Sequence, residues 1–412
     1  METSYPTYDN LNEGGYLIVD DVLDEETREM VREAIVSDAI NLIFGKQGFE
    51  VDAKDPESTL LLVDQSLREK RLGTRGKRCV WRGGNTLYPL INKTTGMVHI
   101  HFNPVVMEHV TFNEELYQLS SRINGTPYLA FTSGPERVSI KAKGAPNMDK
   151  HIDANPFYSD ANYPFRIQSL LVLDIDTVSN PKDSGTLCIL PYFHHYWDFA
   201  GKLFHPKTGF FDCKFPEDKS TYSRFFRLPK GRKSFDKIYL PQLKKYAAAY
   251  ADFLEGTIDW RQAFGVGTGS HRKFFKSCKE AGIVVPSNAN GYLEKMVWTP
   301  LPLKPGNIVF WHQHLPHFSL RNKSDTARVV AYYNLFPVDK DWWGTEEQLW
   351  VQRQFQRGEF YYGTDWGKYP TGIINKEEHE HLKLVGKIDD IAALSTTTAF
   401  RRKLSGREDY FS

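Results

Sequence analysis

The chain has 412 residues, enough for one large domain or two small ones. Hydrophobic residues at 41% and charged residues at 25% are ordinary for a globular protein, and the 14% aromatic content points to a large core and an aromatic-lined cleft. With 52 Lys plus Arg against 51 Asp plus Glu, the chain as a whole has no basic footprint for nucleic acid or an anionic membrane surface.

From the N-terminus, Met1–Asn10 has no basic stretch followed by an apolar run, so no signal peptide is expected. Residues 15–22 (GYLIVDDV) read as a short strand. Asp24 stands where a helix N-cap belongs, followed by Glu25 and Glu26 at the helix's positive end. Met30, Val31, Ala34 and Ile35 recur at helical spacing and predict one packed face. Residues 105–125 read as a second helix, stopped by Gly125.

From residue 128 the pattern changes to strand, turn, strand. Segments 137–141, 166–175, 186–190, 307–311 and 328–335 are β-branched and aromatic, bounded by Gly, Pro, Asn and Asp. They predict a β-sandwich or a jelly roll. Residues 196–300 interrupt the series as a partly helical insertion, with a helix over 241–262. The stretch 338–412 is polar and aromatic, reads as a segment wrapping the domain, and ends in about 12 loose residues. The whole chain, 1–412, is thus expected as a single domain, with core strands at 128–195 and 300–337. No run reaches the ~18 apolar residues of a membrane span. Cys79, Cys188, Cys213 and Cys278 form no CxxC pair and read as reduced thiols, so a cytoplasmic protein is expected.

Two local patterns could carry chemistry. In His151-Ile152-Asp153, a strand would point His and Asp to the same side, where both reach one ion. A third ligand from a distant strand would complete a two-histidine, one-carboxylate face with open positions for non-haem iron. The bland alternative is a loop histidine beside a capping Asp. In residues 305–336, His312, His314 and His317 lie close together, and Arg328 follows on an apolar strand. A buried Arg needs an anion, and its planar fork suits a carboxylate. A structural ion pair is the alternative.

Five blocks in order resemble the phytanoyl-CoA dioxygenase family of Fe(II)/2-oxoglutarate oxygenases: residues 14–35, 137–153, 184–195 (SGTLCILPYFHH), 305–311 and 317–328 (HFSLRNKSDTAR). In the third block Tyr192 and Phe193 stand where the family has Gly and Ser. The resemblance implies a double-stranded β-helix, the cupin-like jelly roll. It makes His151, Asp153 and His317 the iron ligands, His317 being preferred over His314 and His312 because Ser319, Asn322, Ser324 and Arg328 follow it in the family spacing. It puts the distal carboxylate of 2-oxoglutarate on Arg328 and Ser319, and the near end on Gln168 or Ser169. Lys141 is expected to meet substrate or co-substrate, or to lie on the surface. Asn155 and Phe157, just after the HxD pair, are expected near the substrate. Family halogenases replace the carboxylate with a small residue, so Asp153 favours hydroxylation. The implied reaction takes O2, decarboxylates 2-oxoglutarate to succinate and CO2, and oxidises a small molecule. Two alternatives stand beside it: a cupin-type metal enzyme that does not use 2-oxoglutarate, and a non-catalytic jelly-roll binding protein.

Overall fold

A computed structural model describes residues 11, 13–43, 98–100, 103–131, 138–141, 143–145, 147–148, 151–152, 167–178, 180–196, 226–227, 289–357 and 387–412. The helix expected over 241–262 lies outside them, as do Trp197, Tyr222 and Phe225 of the expected insertion.

Strand β1 (Tyr16–Val19) leads to helix α1 (Glu25–Ile43). The Asp24 carboxylate takes the Thr27 backbone N–H at 2.8 Å and its hydroxyl at 2.7 Å, and these bonds hold its pKa below the usual carboxylate value. The buried face of α1 is Val31, Ile35 and Val36, whereas Met30, expected on it, is 40% exposed. Arg32, itself buried, ties the helix to the sheet beneath through a 2.7 Å ion pair with Asp174.

Strand β2 (Val98–Ile100) precedes a helical segment in two pieces. Helix α2 (Pro104–Val106) continues as a π turn over Met107–Thr111, and α3 (Glu114–Asn124) begins afresh. The single helix expected over 105–125 is broken because Asn113 caps a new start, accepting from Leu116 N–H at 3.0 Å. Gly125 ends α3 in the left-handed region at φ +69°, as its position suggests.

The strands that follow are β3 (Leu129–Phe131), β4 (Val138–Lys141), β5 (His151–Ile152), β6 (Ile167–Asp174), β7 (Leu187–Ile189) and β8 (Phe226–Arg227). After helix α4 (Tyr292–Lys295) come β9 (Thr299–Pro300), β10 (Ile308–His312), β11 (His317–Ser319), β12 (Arg328–Tyr332) and β13 (Leu335–Pro337). One sheet has the order β1-β10-β6-β12-β4-β2 and the other β8-β5-β11-β7-β9, all neighbours antiparallel, while β13 pairs with β3 alone. Strands β4–β7 and β9–β12 alternate between the two sheets along the chain, and that alternation is the double-stranded β-helix, a jelly roll. The stretch expected as one strand over 328–335 divides into β12 and β13, and three-residue β11 was hidden between Pro316 and the Asn322 turn.

The six-stranded sheet has two unlike faces. Val138, Ile140, Ile167, Leu171, Leu173, Ile308, Phe310, Val329 and Ala331 join one apolar cluster with α1, α2 and α3. Strand alternation turns Lys141, Gln168, Trp311 and Arg328 to the opposite face, toward the second sheet. Behind the apolar face lie α5 (Glu346–Arg357), α6 (Lys387–Leu394) and α7 (Ala399–Leu404), contributing Val351, Phe355, Ile388, Ile391 and Leu404 to the same cluster. The chain's end, expected loose, is tied down: Tyr410 donates to Leu129 O at 2.7 Å. Among the described residues no helix is long and apolar enough to cross a membrane.

Candidate active site between the two sheets

His317 of β11 stands directly opposite His151 of β5 in the antiparallel ladder. Asp153, Asn155 and Phe157 lie outside the described residues. Among the described residues no three His, Cys, Asp or Glu side chains gather at metal-binding range.

His317 is buried, and its Nδ1 lies 3.0 Å from Leu315 O. A carbonyl only accepts, so Nδ1 carries the proton and the lone pair sits on Nε2. Such a backbone acceptor fixes the tautomer of a metal-ligating histidine. The ring meets Trp311 edge-on at 5.3 Å between centroids. The Trp311 Nε1–H, buried beside it, meets no acceptor among the described residues.

His312 and His314 sit elsewhere. His312 follows Trp311 on β10 and therefore faces the other way. It joins His194 at 4.9 Å and His314 at 4.6 Å between centroids, and His194 lies 3.9 Å from His195. Burial, with the neighbouring imidazoles second, holds His312 well below the usual histidine range and pushes His314 down to about 3. The three histidines of residues 305–336 thus divide into one in register with His151 and two in a separate neutral cluster.

Two residues beyond His317 on the same side of β11 lies Ser319, buried, about 7 Å along the strand. Lys141 Nζ donates to Ser319 Oγ at 3.1 Å and to Ser319 O at 3.3 Å. Lys141 is the register partner of Arg328 across β4 and β12, and each is at most 1% exposed. The surface position open to Lys141 in the sequence is therefore excluded. Burial, with the Arg328 guanidinium adding to it, holds the Lys141 ammonium well below the usual lysine range. Arg328 Nη1 donates to Gly185 O at 2.9 Å, reaching across to the loop before β7. At Gly185, φ is +75° and an added Cβ would fall 2.9 Å from Asn322 Cβ and 3.4 Å from Lys141 Cδ, so only glycine lets this loop close on the pair.

Asn322 and Ser324 build the turn that delivers Arg328. Asn322 Nδ2 donates to Lys141 O and Thr326 O, both at 2.8 Å, and its Oδ1 accepts from the Ser324 hydroxyl at 2.7 Å. Their place in the spacing is thus explained by the backbone they hold. Of the two candidates on β6, Gln168 is the register partner of Trp311 and shares its inward face. Ser169 pairs with Phe310 on the apolar side and donates its hydroxyl to Tyr333 O, which turns it away from the pocket proposed in its favour.

Tyr192, standing where the resembled turn has Gly, has φ +64°. Its ring stacks on Tyr292 at 5.0 Å between centroids, and Lys295 Nζ lies 5.4 Å from the ring centre. No local pattern announces this stack, because Tyr192 and Tyr292 are a hundred residues apart.

Residues 263–330 match the family model "Phytanoyl-CoA dioxygenase (PhyH)". The match begins inside the segment read from sequence as an insertion and runs through β9–β12. No curated relative matches the chain in sequence. Among solved structures, the chain is similar to the epimerase SnoN in complex with Fe3+, alpha ketoglutarate and nogalamycin RO (13% identity, 80% of this chain and 82% of that one, TM-score 0.36). It is also similar to the alpha ketoglutarate dependent carbocyclase SnoK (12%, 82% and 85%, TM-score 0.39). A third is HygX from Streptomyces hygroscopicus with nickel and 2-oxoglutarate bound (10%, 80% and 85%, TM-score 0.36). The strand plan is a jelly roll, and within it residues 263–330 are similar to the phytanoyl-CoA dioxygenase model.

Proposed function

We propose that the chain is an Fe(II)/2-oxoglutarate-dependent oxygenase that hydroxylates a small molecule. The observation that carries this reading is the juxtaposition on β11: His317 is the register partner of His151, and two residues on, Ser319 accepts from buried Lys141, whose own register partner is buried Arg328. A metal and a carboxylate grip separated by about 7 Å of strand suit one ligand that chelates at one end and carries an anion at the other. A cupin-type enzyme without 2-oxoglutarate has no use for the second half of that arrangement.

The residues fit the absent groups. His317 offers Nε2, its register partner His151 stands opposite, and Asp153 two residues on supplies the carboxylate in sequence. Arg328 and Ser319 would hold the distal carboxylate, and Gln168 the near end. Bound iron and 2-oxoglutarate supply oxidation by O2, with release of succinate and CO2. The protein's share is positioning and a dry site. Leu315 O keeps the His317 ring turned, the Asn322 turn places Arg328, and the apolar inward residues Leu170, Val172 and Val330 keep water out. The presence of Asp153 favours hydroxylation over halogenation. The balanced charge favours a small-molecule substrate over nucleic acid.

The test is anaerobic addition of Fe(II) and 2-oxoglutarate to metal-free protein, reading the visible charge-transfer band of the chelate. The parent should show the band and Arg328→Ala should show it only at much higher 2-oxoglutarate. A folded protein that binds Fe(II) and never develops the band sinks the reading.

A further inference from the structure

Resting on that reading, we propose that Lys141 is a second cation of the co-substrate grip, so that Lys141, Arg328 and Ser319 together bind the distal carboxylate. Lys141 ends β4 with its side chain entirely buried, and across the ladder stands Arg328, also buried. Like charges side by side in a low-dielectric space repel, and each loses its water besides. Among the described residues no carboxylate pairs with Lys141; its Nζ reaches only Ser319. An ammonium has three donors, and Ser319 takes two. An anion lying between Lys141 and Arg328 would accept the third and offset the repulsion.

The surroundings are shaped for that role. Asn322 holds the Lys141 carbonyl, which fixes the end of β4 against the turn before Arg328. At Gly185 any side chain would press on Asn322, the residue that holds the end of β4, with an added Cβ 2.9 Å from Asn322 Cβ. A lysine that served only to brace β11 would need none of this proximity to the guanidinium.

The experiment compares parent, Lys141→Met, Lys141→Arg and Arg328→Ala. Each is loaded with Fe(II) without oxygen and titrated with 2-oxoglutarate and with 2-oxobutyrate, which chelates equally but lacks the distal carboxylate. In parallel, metal-free protein is titrated with glutarate by calorimetry. Lys141→Met should weaken 2-oxoglutarate and glutarate roughly 10- to 100-fold, the worth of a charge-assisted hydrogen bond. It should leave 2-oxobutyrate unchanged. Lys141→Arg should recover most of the loss. Parent-like binding of 2-oxoglutarate by Lys141→Met overturns the proposal. So does an equal loss for both oxoacids, since that marks a bracing role. If the parent itself fails to bind 2-oxoglutarate, the functional reading falls first and takes this one with it; that outcome is separate, because no variant comparison enters it.

Discussion

The two faces of the six-stranded sheet are built from the same strands, yet they obey different rules. Phe310 and Trp311 are neighbours on β10. Phe310 packs into the apolar cluster under α1, while Trp311 turns to His317 and leaves an indole N–H without an acceptor among the described residues. Val329 and Arg328 are neighbours on β12, and Ile140 and Lys141 on β4, with the same division. The outward residues could be exchanged for others of like volume. The inward ones include buried cations and polar groups that burial alone would never select. A face that holds charge where hydrocarbon would be more stable is kept for what it binds.

The largest effect expected across this divide is on the inward side. His317→Ala should abolish the Fe(II)–2-oxoglutarate band and turnover while shifting the melting temperature little, since its ring hydrogen bond is only about 1 kcal/mol. A variant that keeps the band would hand the third ligand position to another residue. On the outward side, Phe310→Ala should lower stability by about 3–5 kcal/mol through lost burial and the cavity left behind. Its band, measured below the new melting temperature, should be unchanged. Loss of stability and site together would mean the two faces are not separable.

Lys141→Met sharpens the contrast by reversing a sign. Replacing a buried ion by hydrocarbon of similar volume is often neutral or stabilising, by about 1–4 kcal/mol. The ligand-free variant should therefore melt no lower than the parent, and should gain less from added 2-oxoglutarate. A clear drop in the ligand-free melting temperature would show that the lysine braces the fold.

How much of this was legible in the sequence follows the same divide. Outward strand residues were legible because β-branched and aromatic runs announce themselves; β6 and β10 were expected within a residue of their ends. Spacing singled out Arg328, which is buried as its apolar strand suggested, while Asp153 of the HxD pair lies outside the described residues. Ser169 and Gln168 were not separable, because which of two adjacent residues faces inward depends on register, and register is a property of the partner strand. Lys141 beside Arg328 was invisible for the same reason: 187 positions (328 − 141) separate them, and only the β4–β12 ladder brings them level. The break in the helix over 105–125 was missed because Asn113 sits inside an otherwise helical pattern.

The histidine cluster on the outward end of β10 predicts a pH effect independent of the active site. His312 and His314 have folded pKa values below the unfolded value near 6.5, His314 at about 3. Below pH 6.5 the unfolded chain binds more protons, so stability falls as pH falls through that window, by up to about 1.4 kcal/mol per pH unit for each histidine. His314→Gln should flatten the slope of melting temperature against pH between about 6 and 4. An unaltered slope would place the acid sensitivity in other groups.

The smallest effect concerns Tyr192, and it decides between two uses of a strained backbone. A left-handed φ costs a non-glycine residue about 1–2 kcal/mol. The stack on Tyr292 returns about 0.5–1.5 kcal/mol. Tyr192→Gly removes strain and stack together and should leave stability within about 1 kcal/mol of the parent. Tyr192→Ala keeps the strain, loses the stack, and should be the least stable of the three. That order, read from chemical denaturation, would show that the ring is held at the end of β7 against the backbone's preference. An alanine variant as stable as the parent would show that neither strain nor stack has the weight given to it here, and Tyr192 would then be no more than a tolerated departure from glycine.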